Sequence, residues 1–142
     1  QRLVRGSFKD LERWLADDRS AQGLTLLATL RFLQNRNDEA IEYFHVALKS
    51  LKKETGKRNI CIDGLYGYFF NLALLKSQRL SDLTLLKQQA RMTAKQGWQS
   101  EGLCLLNLIL LDSVEIYQGK ATIENSTYLY KLNKSIFIPP NI

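Results

Sequence analysis

Lys87, Arg91 and Lys95 stand four residues apart, which stacks three cations along one face of a helix. Like charges at that spacing repel by roughly a few tenths of a kcal/mol per pair. Such a row invites an anion, and phosphate contact is the chemistry it could perform. A second basic group, Lys52, Lys53, Lys57 and Arg58, surrounds Glu54-Thr55-Gly56 and could clamp a backbone phosphate. Each group also has a plainer reading. The row is then an exposed ridge whose alkyl stems pack on neighbours, and the second group a polar connection between helices. Tyr66, Tyr68, Phe69 and Phe70 follow one another too closely to share one helix face. Burial between neighbouring elements is the favoured reading. The alternative is that Tyr66 and Tyr68 line a groove that receives a peptide.

Other chemistry-bearing residues are sparse. His45 is the only histidine, and no GxGxxG, GxxxxGK[ST] or HExxH pattern occurs. Serine-type catalysis would rest on His45 without a nucleophile turn to support it. Cys61 and Cys104 form no CxxC pair and have no histidine beside them, so they read as buried thiols. Metal ligands are too few for a site. The expectation is a fragment that is not an enzyme by itself and takes no cofactor or metal.

The elements that must position these residues are helical. Apolar residues recur with helical spacing almost throughout, and the 142 residues contain only 2 prolines. One helix is expected over Ser7 to Ala16, with Phe8, Leu11, Trp14 and Leu15 inward. A second covers Ala21 to Gln34. A third runs from an Asn37 cap to Glu54 and stops at Thr55-Gly56, glycine being suited to a left-handed cap. Further helices are expected at Ile60 to Lys76, Ser81 to Gln96, Gln99 to Tyr117 and Ala121 to Asn133. The tail 135–142 reads as extended because of Pro139-Pro140.

A repeat is visible within this pattern. QGLTLLATLRFL at Gln22, DGLYGYFFNLALL at Asp63 and EGLCLLNLILL at Glu101 begin 41 and then 38 residues apart. Each opens polar-Gly-Leu, runs into a nearly all-apolar helix and is followed by a more amphipathic one. Gly23, Gly64 and Gly102 are expected to let a neighbouring helix approach closely. Such a period is the mark of a helical solenoid. The units are expected at about 21–58, 60–97 and 99–134, in a single domain over 1–142 that reads as a piece of a larger protein.

The first unit resembles a tetratricopeptide repeat. Leu27-Ala28 match the leucine-small pair of that family's first helix. Ala40, Phe44 and Ala47 match the small-aromatic-small spacing of its second. Arg31 stands where an aromatic is usual and Lys52 where proline is usual, and the second unit keeps only Ala90, with Leu83 and Lys87 at the other positions. The resemblance implies an all-α, right-handed stack of about seven helices in antiparallel hairpins. Separately, ALKSLKKETGKRN from Ala47 and GLYGYFFNLALLKS from Gly64 are similar in texture to an accessory helical segment of large bacterial Swi/Snf-type helicase-like ATPases. That implies a non-catalytic part of a nucleic-acid-linked machine.

Charge bears on the same question. Lys49 to Lys95 holds 10 basic and 3 acidic residues, so a net of +7 lies in the middle of a chain whose total is +6. An excess of this kind either meets an acidic partner, nucleic acid being the commonest, or forms a solvated face, which is the favoured reading. No motif supports sequence-specific base reading, so any nucleic-acid contact is expected to be sequence-tolerant and salt-dependent. No apolar run is long enough for a bilayer: Leu103 to Leu111 is broken by Asn107. A cytoplasmic interaction or scaffold module follows as the expectation. Its partner would be a protein, other domains of the parent chain or nucleic acid, or it would be a peptide-binding adaptor with incidental charge.

Overall fold

The computed structural model describes residues 9–10, 12–13, 18–62, 64–94, 101–120 and 122. Among them are five helices and no strand: α1 (Ala21–Leu33), α2 (Asn37–Thr55), α3 (Gly64–Ser77), α4 (Leu80–Ala94) and α5 (Glu101–Tyr117). Residues 9, 10, 12 and 13 are also helical, inside the first expected helix. The expected helix at Ala121 to Asn133 and the extended tail lie outside the described residues.

The sequence of α3, GLYGYFFNLALLKS, has no polar face. A helix apolar all round calls for cover on every side, and α3 packs against α1, α2, α4 and α5, leaving Leu65 and Tyr66 of its first turn exposed. The sequence of α2 is amphipathic, and its face Ala40, Phe44 and Ala47 is completely buried. The two alanines let Phe44 reach across to stack on Phe70 of α3, with ring centroids 4.7 Å apart and planes 12° apart. Around this pair one apolar core runs through all five helices, from Leu24 and Ala28 to Leu110 and Val114.

The helix ends follow from local chemistry. The Ser20 hydroxyl accepts from the Gly23 N–H at 3.1 Å and caps α1. Gly56, at φ 69°, is the left-handed residue that closes α2, and its N–H donates to the Lys52 carbonyl at 2.9 Å. Asn37 departs from expectation. It is the first residue of α2, with Arg36 in the cap position and no side-chain cap bond. Its amide instead donates to the Ala73 carbonyl at 3.0 Å, tying the α1–α2 turn to α3. Lys76 bonding Asn35 repeats that tie, and Arg79 in the turn after α3 stands 3.5 Å from Asp38 of α2.

Helix α3 starts at Gly64 rather than Ile60. Gly64 has φ 63°, which breaks the helix from what precedes it. Residues 60–62 form a non-helical strap, with Cys61 and Ile62 buried. The strap explains a glycine that the repeat pattern overlooked. A Cβ on Gly67 would stand 1.9 Å from the Ile62 carbonyl oxygen, so only glycine lets the strap lie on α3. At Gly64 and Gly102 an added Cβ would meet nothing within 4 Å, and at Gly23 it would meet the Asp18 carboxylate at 2.3 Å. The close approach of a neighbouring helix expected at these three glycines is therefore not found at any of them.

The second half of the core holds a polar chain. Gln89 donates to Asn71 Oδ1 at 2.9 Å, Asn71 to Asn107 Oδ1 at 2.6 Å, and Asn107 to the Leu103 carbonyl at 3.0 Å. All three side chains are essentially fully buried. Directional bonds between α4, α3 and α5 set the register of helices whose apolar contacts alone would tolerate sliding.

Candidate functional site

The last turn of α2 carries Lys52 and Lys53, and the loop beyond Gly56 carries Lys57 and Arg58. All four are exposed. Among the described residues none of the four forms an ion pair. Their charges are therefore open to solvent and to any anion that approaches.

The row on α4 is different. Lys87 takes on α4 the place that Phe44 takes on α2, between inward-facing Leu83 and Ala90. Its ammonium lies 3.2 Å from Glu115 of α5, with the two side chains 13% and 26% exposed. The charge is spent on a neighbouring helix, and the pairing offsets the repulsion expected along the row. Arg91 is exposed, and Lys95 lies outside the described residues. A phosphate reaching this face thus meets Arg91 and a Lys87 that is already paired.

The aromatics divide as well. Phe70 stacks in the core, and Phe69 packs on Phe32 at 5.7 Å. Tyr68 is half-buried against the main core. Tyr66 is 42% exposed and lines a pocket of about 430 Å³. His45 is exposed and sets its ring edge-on to Phe70 at 5.7 Å, which is a packing role. Cys61 is buried and also borders the pocket, with its sulfur 3.7 Å from the Thr93 hydroxyl.

The pocket lies where the first turn of α1, the last turn of α2 and the 60–62 strap meet. Leu51, Ile60, Ile62 and Tyr66 supply apolar wall. One side is closed by Ala21 and Glu54, whose carboxylate accepts the Ala21 N–H at 2.8 Å. Glu54 thereby satisfies one of the free N–H groups at the start of α1, where the helix dipole favours a negative charge. The sequence reading missed Glu54 and the strap. A signal was present: Glu54 is an acid in the last turn of a helix otherwise ending in lysines, where its own helix dipole disfavours it. An acid kept there has a partner elsewhere.

Perturbed acids and bases sit at the helix turns, away from this pocket. The Asp18 carboxyl is held below its usual range by bonds from Ser20. Glu12 is lowered mainly by the Gln34 amide, with Arg31 helping. The guanidinium of Arg36 is raised by its bond to Glu39, and that of Arg79 by its bond to Asp82. These are capping and ion-pair effects. Among the described residues no group of three His, Cys, Asp or Glu side chains gathers as a metal site. No described helix is long and apolar enough to cross a membrane. In comparison with known proteins, the chain matches no family model, no curated protein and no solved structure.

Proposed function

We propose that this chain is a non-catalytic interaction module of a larger cytoplasmic protein, built as a tetratricopeptide-like stack of helical hairpins and working as a scaffold for a protein partner. The observation that carries this reading is the recurrence of one hairpin plan. The α1–α2 turn has Asn35 at φ 63° and the α3–α4 turn has Gln78 at φ 59°. Each donates its N–H three residues back, to Phe32 and to Leu75. The same offset of 43 positions, from 35 to 78, carries Ala40 to Leu83 and Ala47 to Ala90, all buried. Hairpins stacked on a shared core present long open surfaces, which suits them to binding rather than to enclosing a reaction.

Photo-crosslinking tests this. A photoreactive residue is placed singly at exposed positions on different helices, such as Val46, Leu80 and Leu106. The module reading expects one face to crosslink to a discrete protein that mass spectrometry identifies. Absence of crosslinks from every face refutes it.

A second reading is favoured by the four exposed cations at Lys52, Lys53, Lys57 and Arg58, which form no ion pair among the described residues. Here the chain is an accessory segment of a nucleic-acid-associated Swi/Snf-type ATPase and touches phosphate backbones without sequence preference. Titration against labelled nucleic acid over a salt series tests it. Affinity should fall steeply with salt and vanish when these four residues are replaced by glutamate.

A further inference from the structure

We propose that the pocket under the 60–62 strap is a docking site for an acidic peptide segment that inserts one large apolar side chain. The inference rests on the module reading and names the partner's chemistry at one of its surfaces.

The first argument is shape and lining. A space of about 430 Å³ walled by Leu51, Ile60, Ile62 and Tyr66 accepts an aromatic or aliphatic anchor with room beside it. Tyr66 and its neighbour Leu65 are 42% and 56% exposed, so the apolar surface continues from the wall to the outside. A large apolar side chain left half in water at a pocket mouth is the usual material of a peptide hot spot.

The second argument is charge. Lys52 and Lys53 fall between Leu51 and Glu54 in the turn that forms one wall, and Lys57 and Arg58 immediately precede Ile60. These four exposed cations flank the pocket along the chain on both sides of Gly56. Glu54, the acid among them, gives its carboxylate to the Ala21 N–H. The segment 51–62 that walls the pocket thus carries four cations against one acid, a net charge of +3, and a segment rich in Asp and Glu complements it. Duplex nucleic acid would satisfy the cations but keeps its bases paired and stacked and leaves the apolar space empty, whereas an acidic peptide with an apolar anchor satisfies both.

The test is an array of short peptides rich in Asp and Glu with a randomised central pair, probed with the full chain. Fluorescence anisotropy then follows on a Phe-Leu peptide and its Ser-Ser counterpart. The Phe-Leu peptide should bind on the order of tenfold more tightly. Tyr66→Ala, at an exposed position, should abolish that difference while the circular dichroism spectrum stays unchanged. Lys52→Glu/Lys53→Glu should weaken both peptides and flatten the salt dependence. Equal binding of the two peptides overturns the proposal, as does an array with no apolar preference. Tighter binding of oligo-dT than of any acidic peptide, indifferent to Tyr66→Ala, overturns it in favour of nucleic acid. If these fail while crosslinks persist at Val46, Leu80 or Leu106, the module reading stands and only the pocket assignment falls.

Discussion

Gly67→Ala is the sharpest test of how the strap and α3 are held. In an ordinary helix interior this change gains about 1 kcal/mol, because alanine is the better helix former. Here the added methyl would stand 1.9 Å from the Ile62 carbonyl oxygen and 2.8 Å from its carbon. Those are backbone atoms of a buried residue, so relief requires the strap to move rather than a side chain to turn. Overpacking of this kind costs about 1–3 kcal/mol, and a clash this deep with backbone belongs at the upper end. The net expectation is a loss of about 2 kcal/mol. Gly102→Ala is the control: nothing lies within 4 Å of its added Cβ, so the helix-propensity gain should appear alone, up to about 1 kcal/mol. Urea unfolding followed by far-UV circular dichroism measures both. Opposite signs are expected for chemically identical substitutions. If Gly67→Ala matches or exceeds the parent in stability, the strap does not lie against α3 as described, and the pocket beneath it loses its wall.

Three further outcomes follow from the contacts. Lys87→Ala should destabilise by about 1–2 kcal/mol, because it strands a half-buried Glu115 and removes a packed stem, whereas exposed Arg91→Ala should stay within about 0.5 kcal/mol; denaturant midpoints decide it. Asn71→Ala should cost about 2–4 kcal/mol, since it leaves the buried Gln89 amide donor and the Asn107 Oδ1 acceptor without their partner and opens a cavity, again read from unfolding curves. Glu12 is the pH-sensitive contact. Its folded pKa is lowered chiefly by the Gln34 amide, so its stabilising effect is present above the ordinary glutamate value and is lost as pH falls through the lowered one. Glu12→Gln should remove that part of the acid sensitivity in thermal melts taken across the carboxylate range.

Local chemistry along the chain was enough to foresee several features. All-α character came from helical periodicity and scarce proline. The end of α2 at Gly56 came from the one residue type at ease in the left-handed region. The burial of Ala40, Phe44 and Ala47 came from their spacing on one face. Each of these depends on residues a turn apart, which is why a linear pattern carries it.

Features that depend on residues far apart in sequence were decided only by the tertiary structure. Lys87 reads as part of a basic row until α5 brings Glu115 beside it. Asn37 reads as a cap until α3 brings the Ala73 carbonyl within its reach. Gly67 is unremarked in the pattern until the Ile62 carbonyl lies on it, and Glu54 joins a pocket only because α1 begins against its carboxylate. Charge and polarity are properties of a residue and can be read in order along the chain. Whether a charge is free or paired, and whether an apolar wall is open or covered, is a property of what folding places opposite it.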